Sequence, residues 1–233
     1  MMTKKMLING IISADDDAEV YGWLGYTAYT PNMLRSALAE QDPNEPDDGT
    51  VELQINSPGG DVFAGSEIYT VLRDSGAQVT AKITGVAASA ASVIAMAANK
   101  IEMSPTAQMM IHRTSSAIQG NVEDFAKAIQ MMDSNDQAIL DVYAQRTGQS
   151  DEQIYNLMAN ETWFNARRAV EMGFADEIMF EPVKAANSVV PTVTAELREK
   201  VRNLMRSGQQ PGSQKSQESQ LHNKPTKSLS NSK

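Results

Sequence analysis

Two short strand-like stretches, at residues 51–56 and 79–84, each run into a glycine turn that hands over to a helix-patterned segment. The first hand-over reads Asn56-Ser57-Pro58-Gly59-Gly60 and the second Gly85-Val86-Ala87-Ala88-Ser89. Strand, glycine turn and helix in repeated succession imply parallel strands with helices packed over them. The same alternation continues on both sides. Strands are expected at residues 7–12, 101–104 and 108–112, with a last one near Ile178. Helices are expected at residues 31–41, 63–74, 88–98, 122–146, 151–160 and 166–172. In the long helix Phe125, Ile129, Met132, Ile139 and Tyr143 recur at helical spacing, and Gly148 ends it. The acidic run 42–49 reads as a loop.

Composition narrows the classes. The 233 residues include no cysteine, which excludes disulfides and cysteine-based zinc sites. The basic start of the chain has no apolar stretch of signal-peptide length, since Asn9 and Gly10 interrupt it. The longest apolar stretch, around residues 87–98, is too short to span a bilayer. A cytoplasmic protein with no membrane partner is the expectation. The formal charge is −9 overall. Residues 206–233 carry a net of +4, which leaves −13 for residues 1–205. An acidic body argues against nucleic acid as partner. Residues 207–233 are rich in Ser, Gln, Asn, Lys and Pro, and are expected to be disordered. A linker and short helix are expected over 186–206, with Leu197, Val201 and Leu204 on one stripe. The folded domain then covers residues 1–185.

Chemistry concentrates at the two glycine turns. N–H groups at a helix start lack intrahelical acceptors and point outward. Two such turns side by side make a pocket of donors suited to a developing oxyanion, with the N–H groups of Gly60 and Ala90 as the candidates. Two ordinary strand–helix connections fit the same pattern. Ser89 opens the alanine-rich helix and is a candidate nucleophile, or else a helix cap. The chain has two histidines, and His222 lies in the tail. If the chemistry uses a serine and a histidine base, the base is His112 by elimination. Glu161, Glu171, Asp176 and Glu177 are candidates to orient its imidazole. Glu161 ranks first because Thr162-Trp163-Phe164 behind it should be anchored in the core.

Taken in order, these segments, with Met110-Ile111-His112, Thr147-Gly148-Gln149-Ser150 and residues 169–176, resemble the Clp protease proteolytic subunit family over about residues 50–180. The resemblance implies a crotonase-like spiral of strand–helix units, with the long helix making ring–ring contacts. It implies a serine endopeptidase working inside a homo-oligomeric ring on polypeptide substrates, with no metal or organic cofactor. Ser89 matches the nucleophile, His112 the base, and Gly60 and Ala90 the oxyanion donors. The family's catalytic aspartate falls on Glu161, one methylene longer. Residues 1–50 fit the family poorly, and with the extended C-terminus the chain looks most like the Clp-type head maturation proteases of phages and prophages, which cut capsid or scaffold protein. The alternatives are a general subunit fed by a Clp ATPase, a crotonase-type acyl-CoA enzyme, and a non-catalytic assembly scaffold.

Overall fold

The computed structural model describes residues 2–40 and 47–181, together with Glu199, Arg202 and Asn203. Residues 1–181 form one compact unit. Its centre is an eight-stranded sheet, six strands of which run in the order β2-β1-β3-β4-β5-β8, while β6 branches off β4 and β7 pairs with β6. The strands are β1 (Met2–Ile12), β2 (Ala28–Tyr29), β3 (Asp47–Gly60), β4 (Gln78–Ala88), β5 (Lys100–Met103), β6 (Gln108–Ile111), β7 (Thr162–Asn165) and β8 (Glu177–Ile178). All pairings are parallel except that of β6 with β7. The helices are α1 (Ala18–Trp23), α2 (Pro31–Ala39), α3 (Val62–Asp74), α4 (Ala90–Ala95), α5 (Val122–Thr147), α6 (Asp151–Ala159) and α7 (Ala166–Glu171). The α/β class and the order of the expected elements hold.

The two glycine segments differ from the expectation of tight turns. Both stay in the sheet. β3 continues through Ser57 to Gly60 and pairs with β1 to Ile12, after a register shift between Asn9 and Ile11. β4 continues to Ala88 by changing partners, leaving β5 after Ile83 and joining β6 from Val86. Where β3 and β4 fall out of register, the Asn56 side chain bridges them by accepting from the Val86 N–H at 3.2 Å. Irregularities of this kind bend a strand and re-aim its end. Here they bring the ends of both strands to one edge. The helix after β4 is correspondingly short, beginning at Ala90.

Three elements gave no usable signal in sequence: α1, β2 and β7. β2 is two residues long, and β7 carries an alternation too short to read. The expected apolar stripe on α5 also needs correcting. Its buried residues are Asp136, Leu140 and Tyr143, whereas Phe125 and Ile129 are exposed. The expected tail helix and disordered segment lie outside the described residues, apart from Glu199, Arg202 and Asn203, which are helical.

The core lies between the sheet and α3, α4 and the second half of α5. Ile8, Leu53, Ile55, Ile83, Ile68 and Ile94 are completely buried there. Burying such a side chain stabilises by about 1.5–3 kcal/mol each relative to exposure. Across the opposite face of the sheet, on the residues that alternate with the buried ones, runs a chain of charges. Lys82 on β4 reaches Glu52 on β3 at 2.6 Å, and Lys100 on β5 reaches Glu102 at 2.8 Å and Glu177 on β8 at 2.7 Å. Hydrogen bonds from Lys82 and Gln54 hold the Glu52 carboxyl below its ordinary value. Hydrogen bonds to Glu102 and Glu177 push the Lys100 ammonium up to about 12. A lowered acid binds fewer protons when folded than when unfolded, so its stabilisation is present above the unfolded value and is lost as pH falls through the folded one. The raised lysine works oppositely and weakens only as pH climbs towards about 12. Glu52→Gln should therefore cost about 0.5–1 kcal/mol at neutral pH and almost nothing at pH 2–3. Urea midpoints measured across that range check it, and a pH-independent difference would contradict it.

Candidate active site

Ser89 is the last residue before α4, and its backbone is held where side chains rarely go, at φ 53° and ψ −126°. Such a conformation costs about 1–3 kcal/mol and persists only where the surroundings enforce it. The enforcement is visible. The Ser89 N–H donates to the Met110 carbonyl at 2.9 Å. The Ser89 carbonyl accepts from the Ser92 N–H at 2.9 Å and from Ser92 Oγ at 2.6 Å. Ser92 Oγ also bonds the Tyr143 hydroxyl at 2.7 Å, which ties the turn to α5. Tyr143 is wholly buried, and burial pushes its phenol well above the ordinary range, so it stays neutral. The result turns the Ser89 side chain out of the core. Ala87, Ala88, Ala90 and Ala91 around it are all buried.

His112 follows β6 directly. Its Nε2 lies 2.7 Å from Ser89 Oγ, a hydrogen-bond distance suited to proton transfer. β6 is in turn set by β4, because Ala88 pairs with Met110. Nucleophile and base thus sit just beyond the ends of neighbouring strands of one sheet. The segment after His112 is anchored to α5 through the buried Asp136. Its Oδ2 accepts from Arg113 Nε at 2.6 Å and its Oδ1 from the Thr114 N–H at 2.6 Å. Arg113 lies over the Tyr155 ring at 5.3 Å and bonds the Tyr155 hydroxyl at 3.2 Å. This anchor was not legible in the sequence, although Asp136 and Tyr143 stand seven residues apart on one face of α5.

Gly59 and Gly60 bring β3 against this turn. A Cβ on Gly59 would meet the Ala88 carbonyl at 2.5 Å and Ser89 Cβ at 2.8 Å. Gly60 has φ 150°, and a Cβ there would lie 2.1 Å from the Ile12 carbonyl oxygen. Ser57, fully buried, secures the approach by donating to the Gly10 carbonyl at 2.6 Å and accepting from the Gly59 N–H at 3.1 Å. Ala90 is the first residue of α4, a position whose N–H has no acceptor within its helix. The strand ends therefore gather Ser89, His112, Gly60 and Ala90 around one cavity of about 400 Å³.

Glu161 is placed differently. It is exposed, at φ 45°, and its carboxylate accepts from Trp163 Nε1 at 3.4 Å. Among the described residues it makes no hydrogen bond to His112. The antiparallel pairing of β6 with β7 joins Met110 to Trp163 and ends at Ile111 with Thr162, so His112 and Glu161 are the first residues beyond the ladder on the two strands. The other acids weighed in sequence are engaged elsewhere. Asp176 pairs with Arg146 at 2.5 Å, Glu177 with Lys100 at 2.7 Å, and Glu171 with Arg168 at 3.6 Å.

The family model named Clp protease matches residues 33–182. The chain belongs to the Clp protease family. Its relatives are proteolytic subunits. The ATP-dependent Clp protease proteolytic subunit of Bacteroides fragilis is 30% identical over 155 residues, spanning 66% of this chain and 74% of its own. Proteolytic subunit 2 of Rhodococcus jostii is 31% identical over 153 residues, 65% of this chain and 76% of its own. Proteolytic subunit 1 of Chlamydia muridarum is 35% identical over 130 residues, 54% of this chain and 68% of its own. Among the described residues no helix is long and apolar enough to cross a membrane.

Proposed function

We propose that the chain is a serine endopeptidase acting through an acyl-enzyme inside an oligomeric chamber. The observation that carries this is the 2.7 Å contact between His112 Nε2 and Ser89 Oγ at the mouth of a cavity that Gly60 and Ala90 line. Ser89 Oγ attacks the scissile carbonyl while His112 takes its proton. The N–H groups of Gly60 and Ala90 receive the oxyanion. His112 then delivers the proton to the departing amine, leaving the acyl group on Ser89. A water that gives its proton to His112 releases the acid and restores the serine. Assembly draws support from α5, whose exposed Val122, Phe125 and Ile129 share one face and offer an apolar surface to a second copy.

Glu161 serves here as the residue that orients His112. A change of its side-chain rotamer, giving up the 3.4 Å contact to Trp163, turns the carboxylate towards the imidazole beyond the end of the neighbouring strand. Glu161→Gln should lower kcat by about 10- to 100-fold with KM little changed, because the neutral amide supports the imidazolium less well. Unchanged steady-state kinetics would remove Glu161 from the mechanism.

For the biological role we favour head maturation, the cutting of capsid or scaffold protein. The family match starts only at residue 33 and leaves out α1, a helix on which Val20 and Trp23 are exposed. The second reading, a general subunit served by a Clp ATPase, is favoured by the relatives, which are ATP-dependent Clp protease proteolytic subunits. Degradation of an unfolded polypeptide by the purified chain, with and without a Clp ATPase, separates them. A strict ATPase requirement would favour the second. The founding experiment is intact mass after a fluorophosphonate probe. One adduct, on Ser89, is expected. A folded oligomer that takes none would bring forward the acyl-CoA and scaffold readings.

A further inference from the structure

Next to Ser89 lies a buried pair of hydroxyls that the proposed reaction does not use. Ser92 on α4 and Tyr143 on α5 are both out of contact with solvent. Their oxygens are 2.7 Å apart, and Ser92 Oγ lies 2.6 Å from the Ser89 carbonyl oxygen. These contacts fix which way each proton points. A carbonyl only accepts, so the Ser92 hydroxyl gives its single proton to Ser89. Ser92 Oγ then has only lone pairs for Tyr143, so the phenol donates to it. The result is a one-way relay, from the Tyr143 O–H through the Ser92 O–H to the Ser89 carbonyl.

Where the relay ends matters, because of what shares that peptide. The Ser89 carbonyl and the Ala90 N–H belong to one planar unit, and in a trans peptide they point in opposite directions. The carbonyl is drawn into α4 by the Ser92 N–H at 2.9 Å, the Val93 N–H at 3.3 Å and Ser92 Oγ at 2.6 Å. The Ala90 N–H is thereby aimed out of the helix, and rotating the peptide breaks all of these bonds at once. Space beside the N–H is kept open by Gly59, where a Cβ would lie 3.0 Å from Ala90 N. The relay also acts on strength. A donor on the carbonyl oxygen pulls electron density from the amide nitrogen, and hydrogen bonds in series polarise one another in this way inside a protein.

We infer that Ser92 and Tyr143 are positioning residues for the oxyanion: on the acyl-enzyme reading above, their relay aims and strengthens the Ala90 N–H that receives it. Neither side chain is required to touch substrate. The competing role is simple packing of α4 against α5. Tyr143→Phe separates the two, because it removes the hydroxyl and keeps the ring with its edge contact to Phe174 at 5.7 Å.

The test compares p-nitrophenyl acetate with its thionoester, in which sulfur replaces the carbonyl oxygen. Sulfur is the poorer hydrogen-bond acceptor, so the preference for the oxygen ester measures how well the developing anion is held. The full chain, Ser92→Ala, Tyr143→Phe and the double variant are assayed for p-nitrophenol release, with fluorophosphonate labelling of Ser89 run beside them. On the oxygen ester Ser92→Ala should lower kcat by about 10- to 100-fold and Tyr143→Phe by about 3- to 10-fold, with KM little changed. The thionoester should lose much less, so the oxygen-over-sulfur preference falls in both variants. The double variant should be no slower than Ser92→Ala, since the relay passes through Ser92. Equal losses on the two esters would mean that Ser89 or His112 has been displaced, and would overturn the inference while leaving the serine reading standing. Wild-type kcat in Tyr143→Phe and Ser92→Ala would overturn it too. A wild type that takes no fluorophosphonate and turns over neither ester removes both. If Ser92→Ala does not fold, Tyr143→Phe on the two esters decides alone.

Discussion

Ser89→Ala should reduce kcat/KM for peptide hydrolysis by about 10⁴-fold or more and abolish the fluorophosphonate adduct. The fold should survive. Alanine meets the same backbone strain at φ 53° that serine does, so that cost is unchanged. The bonds that shape the turn run through the backbone of residue 89 and through Ser92, not through Ser89 Oγ. The one hydrogen bond lost is that to His112 at 2.7 Å. Stability should change by no more than about 1 kcal/mol. Wild-type turnover in this variant would mean that another group is the nucleophile. Precipitation of the variant would mean that the Ser89–His112 contact holds the turn together.

The second large effect is expected at Gly60. Gly60→Ala puts a methyl 2.1 Å from the Ile12 carbonyl oxygen and 3.0 Å from Ile11 Cγ2. The first of these is backbone in the paired partner strand, so no side-chain rotation relieves it. The φ of 150° is a further strain for any residue with a Cβ. β1 must separate from β3 at Ile12, where the Asp61 N–H also bonds the same carbonyl at 2.8 Å. A loss of about 3 kcal/mol or more is expected, which for a chain of this size lowers Tm by about 10 °C. Probe labelling should fall with it, since residue 60 holds one oxyanion donor. Thermal melts and labelling rates measure both. A variant that melts and labels like wild type would show that β3 ends differently.

The sequence allowed the alternation of strands and helices to be read because the main strands are short stretches of β-branched and other apolar residues at alternate positions, and glycine, proline or a cap residue marks where most of the helices begin or end. Gly148 at φ 70° closes α5 where it was expected to. It also allowed His112 to be chosen, by the simple scarcity of histidine. It did not show that residues 57–60 and 85–88 remain in the sheet, because Gly and Pro ordinarily mark turns, and only pairing with β1 and β6 keeps these in strands. Short elements such as β2 and β7 exist through their partners and leave no periodic trace. Asp136 was invisible for a related reason. A buried carboxylate on an otherwise polar helix acquires meaning only when Arg113 and the Thr114 N–H arrive beside it.

The alanine-rich α4 has a consequence for how such a protein diversifies. Every residue from Ala90 to Ala95 is buried, so the nucleophile rests on a platform that tolerates almost no change in volume. α4 lends the cavity only Ala90 and Val93, and most of its walls come from other elements, chiefly the start of α3, the segment after His112 and one face of α5. Phe63 and Met131 among these wall residues are exposed. Mutation there meets few packing constraints. Reactivity and taste are thereby housed in separate parts, and a lineage of such enzymes is free to explore new target sequences while its chemistry stays fixed.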